Sequence, residues 1–272
     1  CLNDSPSKSK ICAMSCQHKI PLQTAPQVNQ PRLESLAWLQ EELSAIKSDN
    51  LFRPVRVRSG RQSNTVTLNG LSLINFGAND YLGYAGDPRL IKASAKGACA
   101  EGAGAGASPL VSGHSSLHDI LGKSLSSLLG TEDSLIFPSG YAANTATISC
   151  LAGPGDLIVS DAHNHASIID GCRLSKADVR LYPHRNVIAA AELLQTIPAR
   201  RRLIVTDSLF SMDGTIAPLT GLAQLAQDTQ SMLLVDEAHA TGLFGTHGSG
   251  LIEAADIASS VAVRVGTLSK AL

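Results

Sequence analysis

The sequence predicts an α/β fold in which a mostly parallel sheet is covered by helices on both faces. From Leu117 onward, short apolar runs alternate with segments whose apolar residues recur at helical spacing. The run Leu233–Val235 contains no polar residue, which is typical of a strand buried on both faces. Strands that alternate with helices of this length are expected to run parallel, with right-handed crossovers between them.

The first 75 residues are expected to form two segments that precede the main sheet. Residues 1–31 are rich in Ser, Lys, Gln and Pro and lack periodicity, which predicts a disordered N-terminal segment. Residues 32–75 are predicted to hold the N-terminal helix, over Pro31–Lys47, and small-lobe strands that include an Asn69-Gly70 turn. These strands are predicted at Val55–Val57, Thr65–Leu68 and Leu71–Phe76.

Residues 76–272 are expected to form one large domain. Its helices are predicted at Arg89–Glu101, Leu117–Leu129, Tyr141–Leu151, Ser167–Ser175, Val187–Thr196 and Leu219–Gln227. Its strands are predicted at Ser134–Phe137, Leu157–Ser160, Val179–Tyr182, Leu203–Thr206, Leu233–Asp236 and Val261–Gly266. Because the chain begins without methionine and stops at Leu272, it is expected to be a fragment.

Charge and composition argue against several classes of protein. The net charge of −1 gives no electrostatic reason to expect nucleic acid or a membrane surface as partner. No apolar run approaches the roughly 18 residues of a membrane-spanning helix. Cys12, Cys16 and His18 offer half of a metal site without a second pair, so we expect no metal, free thiols and a reducing, cytoplasmic setting.

Polar residues follow several predicted strands, and the carboxyl ends of parallel strands are where ligands bind. Ser139-Gly140-Tyr141 opens a helix, and its amides form either an anion site suited to phosphate or an ordinary serine cap. His163 and His165 are open to three interpretations: metal ligands, a flat face for a ring, or a helix cap. Ser211 follows another strand and is placed to donate a hydrogen bond into the same crevice.

Asp236, His239 and Lys270 carry the strongest functional signal. Asp236 and His239 follow the buried run Leu233–Val235 directly. Lys270 closes a strand-and-turn segment whose neighbours are small or apolar, which is unusual for a surface lysine. By itself this trio leaves metal, nucleotide and cofactor chemistry open.

The segment from Gly102 to His114 is rich in glycine without being a dinucleotide-binding fingerprint. Its spacing is GxGxG rather than GxGxxG, and it follows a predicted helix instead of a strand. Close approach of the backbone to another subunit or to a ligand is the better interpretation of so many glycines.

Two alternatives to a cofactor enzyme come from other classes of protein. VDEAH at 235–239 resembles a Walker B segment, and Gly122-Lys123-Ser124 supplies the GKS of a P-loop ATPase. The glycine required five positions earlier is missing, since Leu117 stands there, and Gly122 lies in a helical pattern. A non-catalytic partner subunit is the other alternative, which the presence of Lys270 disfavours.

Taken together, these motifs resemble the α-oxoamine synthase family of fold-type I, pyridoxal-phosphate (PLP)-dependent enzymes over residues 32–272. The matching runs are NDYLG at 79–83, GAGAGASPLVSGHSSLH at 102–118, SGYAAN at 139–144, DAHNHAS at 161–167, SLFSMDGT at 208–215, VDEAHATGLFG at 235–245 and GTLSK at 266–270. Family members continue past the lysine into further large-domain strands and a C-terminal small domain. The chain is therefore expected to be C-terminally truncated and inactive alone.

The resemblance implies catalytic roles for Lys270, His165 and Asp236. Lys270 would bind PLP covalently and act as base and acid at the α-carbon of the substrate. Asp236 would pair with the pyridine nitrogen and raise its pKa. His165 would stack on the ring and face the substrate.

The resemblance also implies the remaining contacts. Cofactor-binding positions are Gly140, Tyr141, His165, Ser211, Asp236, His239, Thr267 and Lys270, with the phosphate held by Gly140, Tyr141 and Thr267. Substrate-binding positions are Arg53, Asn79 and His165.

Within the family, the glycine-rich loop and the NDYLG context are most similar to the biotin-pathway member. The implied reaction is a decarboxylative condensation of L-alanine with a pimeloyl thioester of CoA or a carrier protein, giving 8-amino-7-oxononanoate. Other members stay open alternatives, among them 5-aminolevulinate synthase, 2-amino-3-ketobutyrate CoA ligase and serine palmitoyltransferase. They differ in amino acid and acyl group. A homodimer is also implied.

Overall fold

The computed structural model describes residues 34–272, and the chain divides between Val55 and Arg56 into two compact units. In the first unit, a 3-10 turn at Glu34–Leu36 precedes helix α1, Trp38–Ser48. Helix α1 confirms the predicted amphipathic helix over its described part. The predicted disorder of residues 1–31 and the Cys12–Cys16–His18 pattern lie outside the described residues.

The second unit begins with a three-stranded antiparallel sheet. Its strands are β1, Arg58–Ser59, β2, Thr65–Leu68, and β3, Leu71–Ile74. Asn69 and Gly70 both have positive φ, 52° and 81°, as a tight hairpin turn requires. The prediction of a strand at Val55–Val57 was wrong, because the first strand starts at Arg58, where pairing with Leu68 begins.

Helices α2, Pro88–Glu101, and α3, Ser116–Leu129, follow and confirm their predictions within one residue. A π-helical turn, Pro109–Gly113, lies between them in the glycine-rich segment. At Gly113 the close approach is to the chain itself, since a Cβ there would lie 2.0 Å from the Ala107 carbonyl oxygen.

The main sheet has five parallel strands. They are β4, Leu157–Asp161, β5, Asp178–Tyr182, β6, Arg202–Asp207, β7, Met232–Asp236, and β8, Val263–Val265. Their order is β5-β4-β6-β7-β8. The sheet alternates with helices α4, Gly140–Leu151, α5, Ala166–Ser175, α6, Val187–Thr196, α7, Leu219–Asp228, and the short, unpredicted α8, Leu251–Ala254. The predicted parallel α/β architecture is confirmed.

Both faces of the main sheet are buried. Leu233 and Val235 of β7 pack with residues of α6 and α7, including Leu194 and Leu222. Leu234 points to the other face and packs with residues of α4 and α5 such as Ile148, Ile168 and Cys172. This double burial is the reason that the strand sequence is an unbroken apolar run.

The prediction of a strand at Ser134–Phe137 was wrong. No strand within residues 34–272 pairs with this segment, and Leu135 is 82% exposed. The Ser134 hydroxyl instead donates to the Gly122 carbonyl at 2.8 Å. A strand depends on a neighbour that supplies ladder hydrogen bonds, and apolar composition alone does not provide one. Within the described residues, no helix combines the length and hydrophobicity needed to cross a bilayer.

Candidate active site

Asp236 lies at the carboxyl end of the central strand β7, where its carboxylate is buried. Its Oδ2 accepts a hydrogen bond from Asn144 Nδ2 at 2.5 Å, and its Oδ1 accepts from the Ala238 amide at 2.8 Å. A carboxylate accepts hydrogen bonds only, so both contacts suit its ionised form. Asp236 thus presents a fixed anionic group at the end of the sheet.

Asp207 ends the neighbouring strand β6 and pairs in register with Asp236. Burial and the adjacent charge of Asp236 raise the pKa of Asp207 to about 7. Its Oδ2 accepts from the His165 amide at 2.7 Å. Asp207 was not among the predicted site residues, although it ends a buried apolar strand just as Asp236 does.

Lys270 and His239 meet beside these carboxyl groups. Lys270 Nζ lies 2.8 Å from His239 Nε2. Burial lowers the pKa of Lys270, and the charges of Asp236 and Asp207 oppose that shift. Burial and the charge of Lys270 lower the pKa of His239. These shifts favour a neutral imidazole that accepts from the amine, and they allow the nucleophilic, neutral form of Lys270 at a lower pH than for a free lysine.

Tyr81 connects this pair to Asn79. The Tyr81 hydroxyl donates to Asn79 Oδ1 at 3.2 Å and lies 2.8 Å from His239 Nδ1. Because the hydroxyl proton is used by Asn79, Nδ1 of His239 donates to Tyr81 and Nε2 remains free to accept from Lys270. Tyr81 was quoted within NDYLG but not assigned a role, while Asn79 was predicted on the substrate side.

His165 caps the start of α5 through its Nδ1, which accepts from the Ser167 amide at 3.2 Å. The residue as a whole is exposed. Of the three interpretations given to this residue, the helix cap is therefore observed. Ring stacking and substrate contact stay predictions.

His163, His184 and Asp213 form a separate cluster whose ligand atoms lie within 4.8 Å of one another. The two imidazole rings stack at 4.2 Å with only 9° between their planes. Lone pairs in parallel, stacked rings cannot converge on one ion. His163 Nδ1 bonds to Asp213 at 2.7 Å, and His184 bonds to Asp161 and Thr215, so the observed arrangement is a hydrogen-bonded cluster.

The start of helix α4 lies against the segment that precedes Lys270. Ser139 caps this helix, since its hydroxyl accepts from the Ala142 amide at 3.1 Å. A Cβ at Gly140 would lie 3.6 Å from the Thr267 side chain, so Gly140 and Thr267 are neighbours. The first amides of a helix have no partner inside it and attract anions. The Tyr141 hydroxyl bonds to Asp170.

Two of the predicted positions are not among the residues that make these contacts. Ser211 is exposed in the turn after β6. Arg53 is exposed in the first compact unit, after α1. Their roles stay predictions.

A cavity of about 650 Å³ adjoins Lys270. Asn79 and Lys270 contribute polar groups to its lining, while Leu90, Ile91 and Leu268 contribute apolar ones. A cavity of this size and mixed lining suits a small molecule with a polar end and an apolar part.

Comparison with known proteins points to one enzyme family. Residues 72–272 match the family model described as "Aminotransferase class I and II". The 8-amino-7-oxononanoate synthase of Anaeromyxobacter sp. (strain Fw109-5) is 47% identical over 237 residues, covering 87% of this chain and 60% of the relative. That of Citrifermentans bemidjiense is 47% identical over 233 residues, covering 85% and 60%.

Solved structures agree with the sequence matches. A Sphingomonas wittichii serine palmitoyltransferase superposes with a TM-score of 0.81 at 35% identity, covering 89% of this chain and 61% of that one. A serine palmitoyltransferase from S. paucimobilis, solved with bound PLP–myriocin, gives 0.81 at 31% identity, covering 89% and 62%. An 8-amino-7-oxononanoate synthase from Francisella tularensis gives 0.59 at 29% identity, covering 72% and 54%. The chain spans about 60% of the length of its curated relatives.

Proposed function

The chain belongs to the aminotransferase class I and II family, and we propose that it carries the PLP-binding part of an 8-amino-7-oxononanoate synthase. The reaction would condense L-alanine with a pimeloyl thioester of CoA or a carrier protein, with loss of CO₂. The observation that carries this proposal is the half-buried Lys270 amine, 2.8 Å from His239 and beside the buried Asp236.

The residues present fit PLP, whose polar groups are a pyridine nitrogen, a ring oxygen, an aldehyde and a phosphate. Asp236 supplies a buried carboxylate for the nitrogen, and Lys270 supplies an amine for the aldehyde. His239 would lie near the ring oxygen. Gly140, with Thr267 beside it, offers helix N-terminal amides to the phosphate.

When bound, PLP supplies an electron sink for the electrons left at the substrate's α-carbon. The protein's own groups do the rest. Lys270 Nζ takes the α-proton and returns it, and its lowered pKa makes the neutral amine available at a lower pH than for a free lysine. His239 accepts from Lys270 and orients the amine. Asp236 keeps a negative charge beside the site, where it stabilises a protonated pyridine nitrogen.

The cavity beside Lys270 supports an acyl donor with an apolar chain. Leu90, Ile91 and Leu268 line it, and Asn79 lies at its polar side. The thioester carbonyl would have to approach the α-carbon near Lys270, and the apolar lining would hold the chain. Arg53 stays a proposed contact to the substrate carboxylate or to the acyl chain.

A homodimer in the cytoplasm completes the proposal. Leu110 and Val111, in the π-helical turn of the glycine-rich segment, are 99% and 80% exposed. Apolar side chains this exposed are suited to a subunit interface. Cys99, Cys150 and Cys172 are free thiols, which suits a reducing compartment.

The test is the visible absorbance of the whole-length protein with PLP, before and after adding each amino acid. We expect a chromophore that Lys270→Ala abolishes and that L-alanine perturbs more strongly than glycine or L-serine. Product formation from L-alanine and pimeloyl-CoA should follow the same preference. A chromophore that does not depend on Lys270 would refute the proposal.

Serine palmitoyltransferase chemistry is the second candidate. The superposition on those structures, with a TM-score of 0.81, is better than the 0.59 obtained with the 8-amino-7-oxononanoate synthase structure. Sequence identity favours the reverse order, 47% against 35%. A spectrum perturbed by L-serine rather than L-alanine would select this candidate.

A further inference from the structure

Asn144 and Ser167 join Asp236 to His165 through continuous hydrogen bonds. Asn144 Nδ2 donates to Asp236 Oδ2 at 2.5 Å and to Ser167 Oγ at 2.9 Å. Ser167 Oγ lies 2.7 Å from His165 Nδ1. Asn144, Ser167 and Asp236 are all buried, so water competes little for these bonds.

The direction of each bond follows from the groups that make it. A carboxylate only accepts, so the amide nitrogen of Asn144 must face Asp236. The Ser167 main-chain N–H donates to His165 Nδ1, so this nitrogen carries no proton and the Ser167 hydroxyl donates to it as well. That hydroxyl then accepts from Asn144. In its neutral form, His165 therefore carries its ring proton on Nε2.

Close packing of helices α4 and α5 sets up this contact. A Cβ at Gly171 of α5 would lie 3.1 Å from the Asn144 carbonyl oxygen and 3.1 Å from Ile148 Cβ, both on α4. Glycine at this position therefore lets the helices approach closely enough for the Asn144 and Ser167 side chains to bond.

Asn144 is costly as a purely structural residue. Its Oδ1 is buried and accepts no hydrogen bond from any residue in the described part of the chain. A buried polar atom without a partner costs free energy, and an apolar side chain would avoid that cost. An apolar residue, however, could not donate the two hydrogen bonds that Asn144 Nδ2 makes to Asp236 and Ser167.

We propose that Asn144 and Ser167 are positioning residues that hold the Asp236 carboxylate and the His165 ring in one fixed relative orientation. The inference rests on the proposed PLP site, where these two groups would meet the edge and the face of the cofactor ring. Asp207, at the end of the neighbouring strand β6, also holds His165, because its Oδ2 accepts a hydrogen bond from the His165 amide at 2.7 Å. Displacement of either functional side chain is thereby transmitted to the other.

The first test needs no cofactor. Nitrogen-15 NMR of the His165 ring, assigned with His165→Gln, measures which ring nitrogen carries the proton. We expect Nε2–H in the wild type, and a change in the chemical shift of Nδ1 in Ser167→Ala, because Nδ1 then accepts only from the main-chain amide. Ser167→Thr, which keeps the hydroxyl, should retain the wild-type shift. Unchanged ring shifts in Ser167→Ala would overturn the proposal.

The second test is PLP affinity measured by absorbance titration of the whole-length protein. We expect Asn144→Ala to weaken binding about tenfold, the effect of losing a hydrogen bond to a charged group. Asn144→Asp should weaken it further, because a carboxylate would face Asp236. The matched control is Ser149→Ala on the same helix, whose hydroxyl bonds only to main-chain carbonyls and is exposed.

The outcomes separate this inference from the proposed function. Asn144→Ala binding PLP as tightly as Ser149→Ala would overturn the positioning role. If Asn144→Ala does not fold, Asn144→Ser replaces it in the comparison of PLP affinity with Ser149→Ala. Serine has one hydroxyl proton, so it cannot donate both of the hydrogen bonds that Asn144 donates. Wild-type protein without Lys270-dependent PLP binding would refute the proposed function, while the Nδ1 shift of His165 would still decide whether the Ser167 hydroxyl donates to this ring.

Discussion

Lys270 Nζ lies 2.8 Å from Nε2 of His239, although 31 positions separate the two residues in the sequence. His239 follows strand β7 and Lys270 follows strand β8, and these strands are parallel neighbours. Parallel pairing brings the segments after both strands to one edge of the sheet. The pair is therefore a direct product of the strand order.

The first prediction concerns the protonation of Lys270. Its pKa is lowered, so the neutral amine becomes populated at a lower pH than for a free lysine. Pyridoxal labelling followed by borohydride reduction should therefore begin to modify Lys270 at a lower pH than it modifies a model lysine peptide. Peptide mapping measures the site, and Lys270→Ala supplies the background. Labelling of Lys270 with the pH profile of the model peptide would contradict the prediction.

Tyr81→Phe should weaken PLP binding about threefold to tenfold, the effect of one lost hydrogen bond. The change removes the hydroxyl 2.8 Å from His239 Nδ1 and leaves the ring in place. Absorbance titration measures the affinity. A double-mutant cycle with His239→Gln is the control, since Tyr81→Phe should have little further effect once the imidazole is gone. Additive effects would show that Tyr81 acts independently of His239.

Asp207→Asn should flatten the dependence of stability on pH. The folded-state pKa of about 7 lies above the value of about 4 expected in the unfolded chain. Between these values the folded state holds one more proton, so the free energy of unfolding falls as pH rises from about 4 to about 7. Removing the carboxyl group removes this fall, which amounts to a few kcal/mol at most.

Urea denaturation at pH 5 and pH 7 measures the effect of Asp207→Asn. Asp228→Asn, at the exposed end of α7, is the matched control and should leave the pH dependence unchanged. An equal slope in wild type and Asp207→Asn would mean that Asp207 does not bind a proton on folding.

Gly113→Ala should destabilise the protein by about 1–3 kcal/mol. The added Cβ would lie 2.0 Å from the Ala107 carbonyl oxygen, so the π-helical turn must shift. Gly104→Ala is the matched control, because a Cβ there meets nothing within 4 Å. Denaturation midpoints compare the two variants, and equal midpoints would contradict the predicted clash.

Local pattern was sufficient for most elements of the fold. The prediction at Val187–Thr196 matches α6 to the residue, and the five strands of the main sheet all lie where apolar runs predicted them. The prediction of a strand at Ser134–Phe137 was wrong because no strand within residues 34–272 lies beside this apolar run. The prediction of a strand at Val55–Val57 was wrong because β2, the partner strand, sets where pairing begins, and that is at Arg58.

Some residues of the candidate site could be selected from the sequence, and others could be found only from the packing of the chain. Asp236, His239 and Lys270 stand next to strand ends, so sequence position and motif were enough to select them. Asn144 and Tyr81 reach the site across 92 and 158 positions of sequence, and their contacts depend on where α4 and the NDYLG turn pack. Asp207 ends a strand like Asp236, but its raised pKa requires the two carboxyl groups to be neighbours.

The sequence by itself determined the alternation of helices and strands, the buried character of the sheet and the residue types able to serve PLP. These properties depend on short-range periodicity and on chemistry that each side chain carries with it. Only the tertiary structure decided that His163 bonds to Asp213, and that Asn144 joins Asp236 to Ser167. Hydrogen bonds and pKa shifts depend on distances of a few ångströms, and the packing of distant segments sets those distances.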